Sequence, residues 1–105
     1  MEIKIPFKED FKDDMGTGDK ICTTRSKKYG KVGDTFKVFD LDFKIIAIFK
    51  LPFHKIAFQL YNPEGCVSTA NFLRVWHKIH HSYPEVSSDI SEEQWNKEYY
   101  IHFFK

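Results

Sequence analysis

Three residues in the first quarter of the chain have the types and spacing needed for polar chemistry. Thr23 and Arg25 stand two residues apart in a run rich in β-branched residues, so a strand there would point both side chains to one face. Thr23 offers a hydroxyl group, and Arg25 offers a planar fork that suits phosphate or carboxylate. Lys20 offers a mobile amine, and it reaches that face only from an irregular turn, which Gly18 permits. The segment predicts a polar pocket, the alternative being a strand whose polar side chains face solvent.

Glu64 is the candidate acidic partner of this segment. It lies shortly before Ser68, whose hydroxyl predicts the N-cap of a helix. A carboxylate at this position either is a loop charge near the positive end of that helix or reaches into a pocket. In the pocket it would pair with Lys20 or Arg25. Sequence spacing leaves these alternatives open.

Basic residues cluster in the glycine-containing loop that follows Arg25. Between Lys20 and Gly33 there is no acidic residue, although the formal net charge of the whole chain is only +1. The loop lysines that we predict as ligand contacts are Lys27, Lys28 and Lys31. The cluster is either an ordinary solvated face or a local patch that attracts anions on an otherwise neutral protein.

Other kinds of site lack their sequence signatures. His77 and His81 have the spacing of two metal ligands on one helix face, but no third ligand or H-E-x-x-H motif accompanies them, so we expect no metal site. Cys22 and Cys66 form neither a disulfide framework nor a C-x-x-C pair. We predict that Cys22 is a buried structural cysteine, and we expect no cofactor.

The elements that position these residues are those of one α+β domain spanning residues 1–105. The 42% apolar and 17% aromatic content suffices for a folded core. Residues 43–51 are apolar on both faces, which is typical of a central or barrel strand. Further strands are predicted at 4–7, 21–25, 35–39 and 99–104, and helices at 54–61 and from Ser68 to before Pro84. One or two helical turns are predicted from Phe7 to Met15, and residues 87–94 form either a loop or a short helical turn. The predicted core comprises Phe36, Val38, Ile45, Ala47, Phe72, Trp76 and Phe103.

The chain has no predicted membrane segment. Its longest apolar stretch, residues 45–49, is far shorter than the roughly 20 residues that a spanning helix needs. Charged residues also interrupt any secretory signal near the start. We therefore expect a cytoplasmic monomer with no membrane partner.

Taken in order, these segments resemble the ASCH domain family of the PUA-like superfamily. The resemblance spans nearly the whole chain and rests on Phe11, Asp14, Gly18, Lys20, Thr23, Arg25, Gly33-Asp34, Glu64-Gly65, Ser68, Phe72, Trp76 and Tyr100 to Phe104. It implies a mixed β-barrel of five or six strands, flanked by two or three helices. It also implies a cleft lined by the lysine, threonine, arginine and glutamate positions, which binds RNA or a modified nucleoside.

The resemblance leaves two functions of different class. In a binding module, Arg25, Lys20 and the loop lysines would hold phosphate while Glu64 accepts hydrogen bonds from a base edge. The alternative is an amidohydrolase like the N4-acetylcytidine branch, with Thr23 as nucleophile, Lys20 as base and Glu64 as orienting or proton-relay group. Thr24 stands where that branch is expected to have an aliphatic residue. A third reading is an interaction domain whose pocket binds nothing.

Overall fold

The computed structural model describes residues 1–105 and contains one sheet of five strands. The strands are β1 (Glu2–Ile3), β2 (Cys22–Arg25), β3 (Thr35–Val38), β4 (Leu41–Pro52) and β5 (Glu98–Phe104). They lie in the order β1-β3-β4-β5-β2, with β1 parallel to β3 and the other pairs antiparallel. The predicted α+β fold with a five-stranded mixed sheet is confirmed.

The sheet is open and does not close into the predicted barrel. Closure would require hydrogen bonds between the edge strands β1 and β2, but β1 pairs only with β3 and β2 only with β5. β1 has two residues and offers too few backbone groups for a second ladder. The segment 4–7, predicted as the first strand, follows β1 without pairing, and its Pro6 has no amide hydrogen to donate.

Four α-helices accompany the sheet, where two or three were predicted. They are α1 (Lys12–Thr17), α2 (Phe53–Gln59), α3 (Thr69–Ile79) and α4 (Glu92–Asn96). α3 begins as predicted, because the Ser68 hydroxyl accepts a hydrogen bond from the Asn71 amide at 3.1 Å. α4 forms in a polar stretch because Ser91 and Gln94 make a reciprocal capping box. None of the helices has the length and apolar character needed to cross a membrane.

β4 is central to the sheet, as its sequence predicts, but only part of its apolar surface is covered. It pairs with β3 on one side and β5 on the other, and the register shifts between Ile45 and Ala47. Ile45 is fully buried, whereas Ile46 and Phe49 are about half exposed, at 46% and 54%. The open sheet therefore leaves part of this apolar strand exposed, where a closed barrel would cover it more fully.

The apolar interior consists of two clusters. The larger lies between α2, α3 and the β2–β5 pair, and the smaller lies against β3 and the first part of β4. Of the predicted core, Phe36, Ile45, Phe72 and Trp76 are buried, while Val38, Ala47 and Phe103 are half-buried. On β5, the fully buried positions are instead Ile101 and His102. The larger cluster supports the elements that carry the candidate site.

Candidate functional site

The loop that carries Glu64 is fastened to the start of β2 by backbone hydrogen bonds. Gly18 ends α1 with a left-handed φ of 83°, which turns the chain toward β2. The amides of Ile21 and Cys22 then both donate to the Pro63 carbonyl, at 2.7 and 3.2 Å. These bonds hold Lys20 and Glu64 opposite each other as an isolated antiparallel bridge. The irregular turn required for Lys20 to enter the pocket is therefore present.

Lys20 and Glu64 form a buried ion pair. The Lys20 Nζ atom lies 3.4 Å from the Glu64 Oε2 atom and donates to the Glu64 carbonyl oxygen at 3.1 Å. Their side chains are only 3% and 6% exposed. Phe11 covers the ammonium group, with its ring centroid 4.6 Å from Nζ. Glu64 therefore reaches into the interior and pairs with Lys20 rather than remaining a loop charge.

Two neighbouring residues complete the surroundings of this pair. The Thr24 hydroxyl donates to the Glu64 Oε1 atom at 3.2 Å, so the carboxylate has partners on both oxygens. Gly65 has a φ of 91°, and a Cβ atom there would lie 3.0 Å from the Lys20 Cβ. Glycine is therefore required both by backbone conformation and by the close approach of Lys20. The sequence flagged Thr24 only as a departure from the family pattern and gave no signal of its contact.

Arg25 and Thr23 form a second polar centre on β2. The Arg25 Nε atom donates to the Thr23 hydroxyl at 3.0 Å, and its terminal nitrogen donates to the Pro6 carbonyl oxygen. The guanidinium lies 4.9 Å from the Phe7 ring centroid and 5.7 Å from that of Tyr29. Burial lowers the pKa of Arg25, yet a guanidinium remains a cation at any physiological pH. The arrangement presents a fixed positive charge between two aromatic rings.

His102 supports this second centre from β5, where it is paired in register with Thr23. Its Nε2 atom accepts a hydrogen bond from the Tyr29 amide at 2.9 Å, so the ring proton lies on Nδ1, 3.4 Å from the Thr23 carbonyl oxygen. Burial lowers the pKa of His102, which favours this neutral form. Nothing in the sequence indicated His102, because strand pairing between distant segments brings it here.

The two polar centres line one cavity of about 430 Å³. Its polar lining includes Lys20, Thr23, Thr24, Arg25 and Glu64. Its apolar lining includes Phe7, Phe11, Phe72, Val75, Trp76 and Ile79. The structure thus brings four of the sequence-selected residues, at positions 20, 23, 25 and 64, to a single concave site, together with aromatic rings that no sequence pattern marked as part of a site.

The three loop lysines differ in their position relative to the cavity. Lys27 lines the cavity, and its Nζ atom lies 4.9 Å from the Tyr29 ring centroid. Lys28 and Lys31 are exposed and lie outside the cavity lining. The Lys31 amide donates to the buried Asp34 carboxylate at 2.9 Å, which shapes the loop. Only Lys27 is placed to touch a molecule in the cavity.

The histidine pair and the cysteines have no catalytic arrangement. The His77 ring contacts the Tyr83 carbonyl oxygen, and no group of three or more potential metal-binding side chains occurs in the chain. Cys22 and Cys66 are free and buried. Burial, reinforced by the nearby Glu64 carboxylate, raises the pKa of Cys66 to about 11 and that of Cys22 further. Both thiols are therefore protonated and poor nucleophiles at neutral pH.

Comparison with known proteins gives a structural match but no sequence match. No protein-family model matches the chain, and no curated protein matches its sequence. The crystal structure of an ASCH domain from Lactobacillus crispatus JV V101 matches with a TM-score of 0.63 at 14% sequence identity. The match covers 99% of this chain and 77% of that one. At this identity the likeness establishes the fold, and the chain therefore has the fold of an ASCH domain, as its sequence predicts.

Proposed function

We propose that the cavity binds a nucleobase, presented either by a free nucleoside or by single-stranded RNA. The observation that carries the proposal is the Lys20–Glu64 pair, buried in an aromatic-lined cavity. When an ion pair is buried, the lost hydration of the two charges offsets much of their mutual attraction. Such a pair is therefore weak evidence for a stabilising role. A base edge carries hydrogen-bond donors and acceptors together. A lysine donor beside a carboxylate acceptor is complementary to such an edge.

The size and lining of the cavity support the same proposal. Its volume of about 430 Å³ lies within the roughly 300–1,000 Å³ that is usual for small-molecule sites. Phe7, Phe11 and Trp76 supply flat apolar surface, which suits a flat heterocycle. Proteins that recognise single-stranded RNA stack splayed bases on aromatic rings and read their edges with polar groups. The cavity combines both features.

Arg25 and Lys27 extend the proposal to phosphate. The Arg25 guanidinium is held between Phe7 and Tyr29, and Lys27 lies over the same tyrosine ring. Positive groups beside a base site are suited to the phosphate that joins that base to the next nucleotide. The exposed Lys28 continues the positive surface beyond the cavity. If the ligand is RNA, these residues supply the salt-dependent part of its binding free energy.

Binding of a short single-stranded RNA should weaken as salt rises, with a log–log slope near −0.7 for each phosphate contact. The double variant K27E/K28E should bind every RNA sequence more weakly and show a shallower slope than the wild type. The matched control K37E/K44E reverses two exposed lysines outside the cavity and should behave like the wild type. Fluorescence anisotropy at several salt concentrations measures the affinity and the salt slope of each protein. Salt-independent binding, or binding of nucleosides but not RNA, would assign the cavity to free nucleosides.

A second candidate is hydrolysis of an amide on a nucleoside, favoured by the Thr23 and Thr24 residues that line the same cavity as the buried pair. With the shared proton of the Lys20–Glu64 pair on the carboxyl group, the Thr23 hydroxyl would add to the amide carbonyl carbon while the neutral Lys20 amine takes its proton. The C–N bond would then break, the amine would leave with a proton relayed by Glu64, and water would hydrolyse the acyl-threonine ester. The hydroxyl that contacts Glu64 belongs to Thr24, whereas that of Thr23 accepts from Arg25.

Incubation with N4-acetylcytidine tests this candidate, because hydrolysis releases cytidine and acetate, and chromatography measures their release. T23V and K20R should each abolish turnover, since arginine keeps the charge of lysine but cannot serve as a base. E64Q should slow the reaction. T24V is the matched control for T23V and should retain turnover if Thr23 is the nucleophile. Loss of turnover in T24V but not T23V would transfer that role to Thr24, and an inactive wild type would leave binding as the function.

A further inference from the structure

Trp76 carries a hydrogen-bond donor that the protein itself does not satisfy. Its side chain lines the cavity and the residue is only 6% exposed. The indole Nε1 atom is buried and has no hydrogen-bond partner. Buried indole N–H groups normally find a partner, and an unpartnered one in a folded protein calls for an explanation.

None of the groups around Trp76 accepts a hydrogen bond from its indole nitrogen. Its ring packs against the rings of Phe53, Phe72, His80, Tyr83 and Tyr99. The two tyrosine hydroxyls in this set hydrogen-bond to each other, and neither they nor the His80 ring accepts a hydrogen bond from the indole nitrogen. The phenylalanines have no polar atoms. The indole N–H is therefore left free for an acceptor that a bound molecule brings.

We propose that the Trp76 indole N–H donates a hydrogen bond to the molecule that occupies the cavity and thereby helps to select it. This inference rests on the proposed function and adds a requirement to it. Because an indole nitrogen donates but cannot accept, the ligand must turn a carbonyl oxygen or an unprotonated ring nitrogen toward α3. A flat base with an acceptor on that edge satisfies this requirement, whereas an edge carrying only N–H groups leaves both donors unpaired.

Lys20 and Glu64 line the same cavity and define the rest of the pattern. The ammonium group of Lys20 is a second donor, and the Glu64 carboxylate is an acceptor that already receives a hydrogen bond from Thr24. The ligand edge therefore combines acceptors for Trp76 and Lys20 with a donor for Glu64. This alternation is found on base edges, where carbonyl, ring-nitrogen and amino groups adjoin.

The decisive measurement is the indole N–H signal of Trp76 in a ¹⁵N-labelled protein. The chain has two tryptophans, so two indole signals are expected, and Trp95→Phe assigns them. Trp95 stacks on the exposed Phe58 and lies outside the cavity lining, so its signal is an internal control. Titration with cytidine, uridine, adenosine and guanosine, each in turn, should move the Trp76 proton downfield at saturation with any nucleoside that binds, and leave that of Trp95 in place.

Trp76→Phe provides a second readout, because it keeps a ring and removes the N–H group. Loss of one hydrogen bond should weaken nucleoside binding by about 3- to 10-fold, while W95F binds like the wild type. If a nucleoside binds, but the Trp76 proton does not move and W76F binds equally well, the inference is overturned and the proposed function stands. If none of the four nucleosides binds, the proposed function for free nucleosides fails, and with it the inference. The wild-type titration decides the question even if W76F does not fold.

Discussion

Replacing Trp76 with alanine should lower the free energy of unfolding by about 3–5 kcal/mol, the usual cost of removing a large buried ring. Trp76 lies in the larger core cluster, 6% exposed, with the ring centroids of Phe53 and Tyr99 at 5.0 and 5.2 Å. The cost combines lost burial with the cavity left behind, since these neighbours belong to different elements and cannot all move inward together. A domain of this size has only about 5–15 kcal/mol of stability, so the substitution should remove a large share of it.

Urea denaturation followed by circular dichroism measures this loss. Tyrosine fluorescence is unsuitable, because the substitution itself changes energy transfer within the aromatic cluster. Trp95→Ala serves as a control, since that ring is only half-buried and packs partly on the exposed Phe58, and it should cost less. A loss of unfolding free energy below about 1 kcal/mol for Trp76→Ala would contradict the conclusion that this ring is packed in the core.

Replacing Lys20 with methionine should destabilise the protein by about 3–5 kcal/mol, because it leaves the Glu64 carboxylate buried without its counter-charge. The two side chains are 3% and 6% exposed, so water cannot replace the missing ammonium group. The Thr24 hydroxyl alone would remain on the carboxylate. In contrast, the double variant K20M/E64L removes both charges and should be as stable as the wild type or more stable, since paired apolar groups avoid the hydration cost.

A surface pair provides the control for this comparison. Lys78 and Asp10 are in contact at 3.1 Å, but their side chains are 69% and 62% exposed. K78M should therefore change the free energy of unfolding by less than about 1 kcal/mol. All variants can be compared by the same urea denaturation at one pH. If K20M lowers the free energy of unfolding no more than K78M does, the Lys20–Glu64 pair is not an isolated buried pair. The argument that this pair serves a binding site at the expense of stability is then lost.

The double variant also separates stability from function. If the buried pair exists to read a ligand edge, K20M/E64L should fold well and bind no nucleoside. Retained nucleoside binding would show that the pair is a structural element of the loop. The urea denaturation of K20M/E64L shows whether it is folded, and a loss of binding by the folded double variant cannot be attributed to unfolding.

Much of the fold followed from local sequence patterns. The strands at β2, β3, β4 and β5 and the start of α3 agree with predictions from β-branched runs, alternation and the Ser68 cap. Such patterns report on backbone preference and on which face of an element is apolar, and both are properties of nearby residues. The sequence left residues 87–94 open between a loop and a short helical turn and did not predict the two-residue β1, because a single capping box and one short parallel pairing give little periodic signal.

The residue types of the candidate site could also be selected from sequence alone. Lys20, Thr23, Arg25 and Glu64 were chosen for their functional groups and for their position on a strand or loop, and the structure places all four around one cavity. Their roles in binding or catalysis stay predictions. Lys28 and Lys31, chosen for charge alone, lie outside the cavity. Clustered charge is a property of a stretch of sequence, whereas membership of a binding site depends on where each side chain points.

Only the tertiary structure decided which groups face each other. Lys20 and Glu64 are 44 positions apart, and Thr23 and His102 are 79 positions apart. The sequence left open whether Glu64 would pair with Lys20 or Arg25, and backbone bonds from Ile21 and Cys22 to Pro63 select Lys20. Local patterns cannot supply such information, because the partner of a buried polar group is set by the packing of whole elements. That packing is driven mainly by non-directional burial of apolar surface, and the hydrogen bonds at the site form between the groups it brings together.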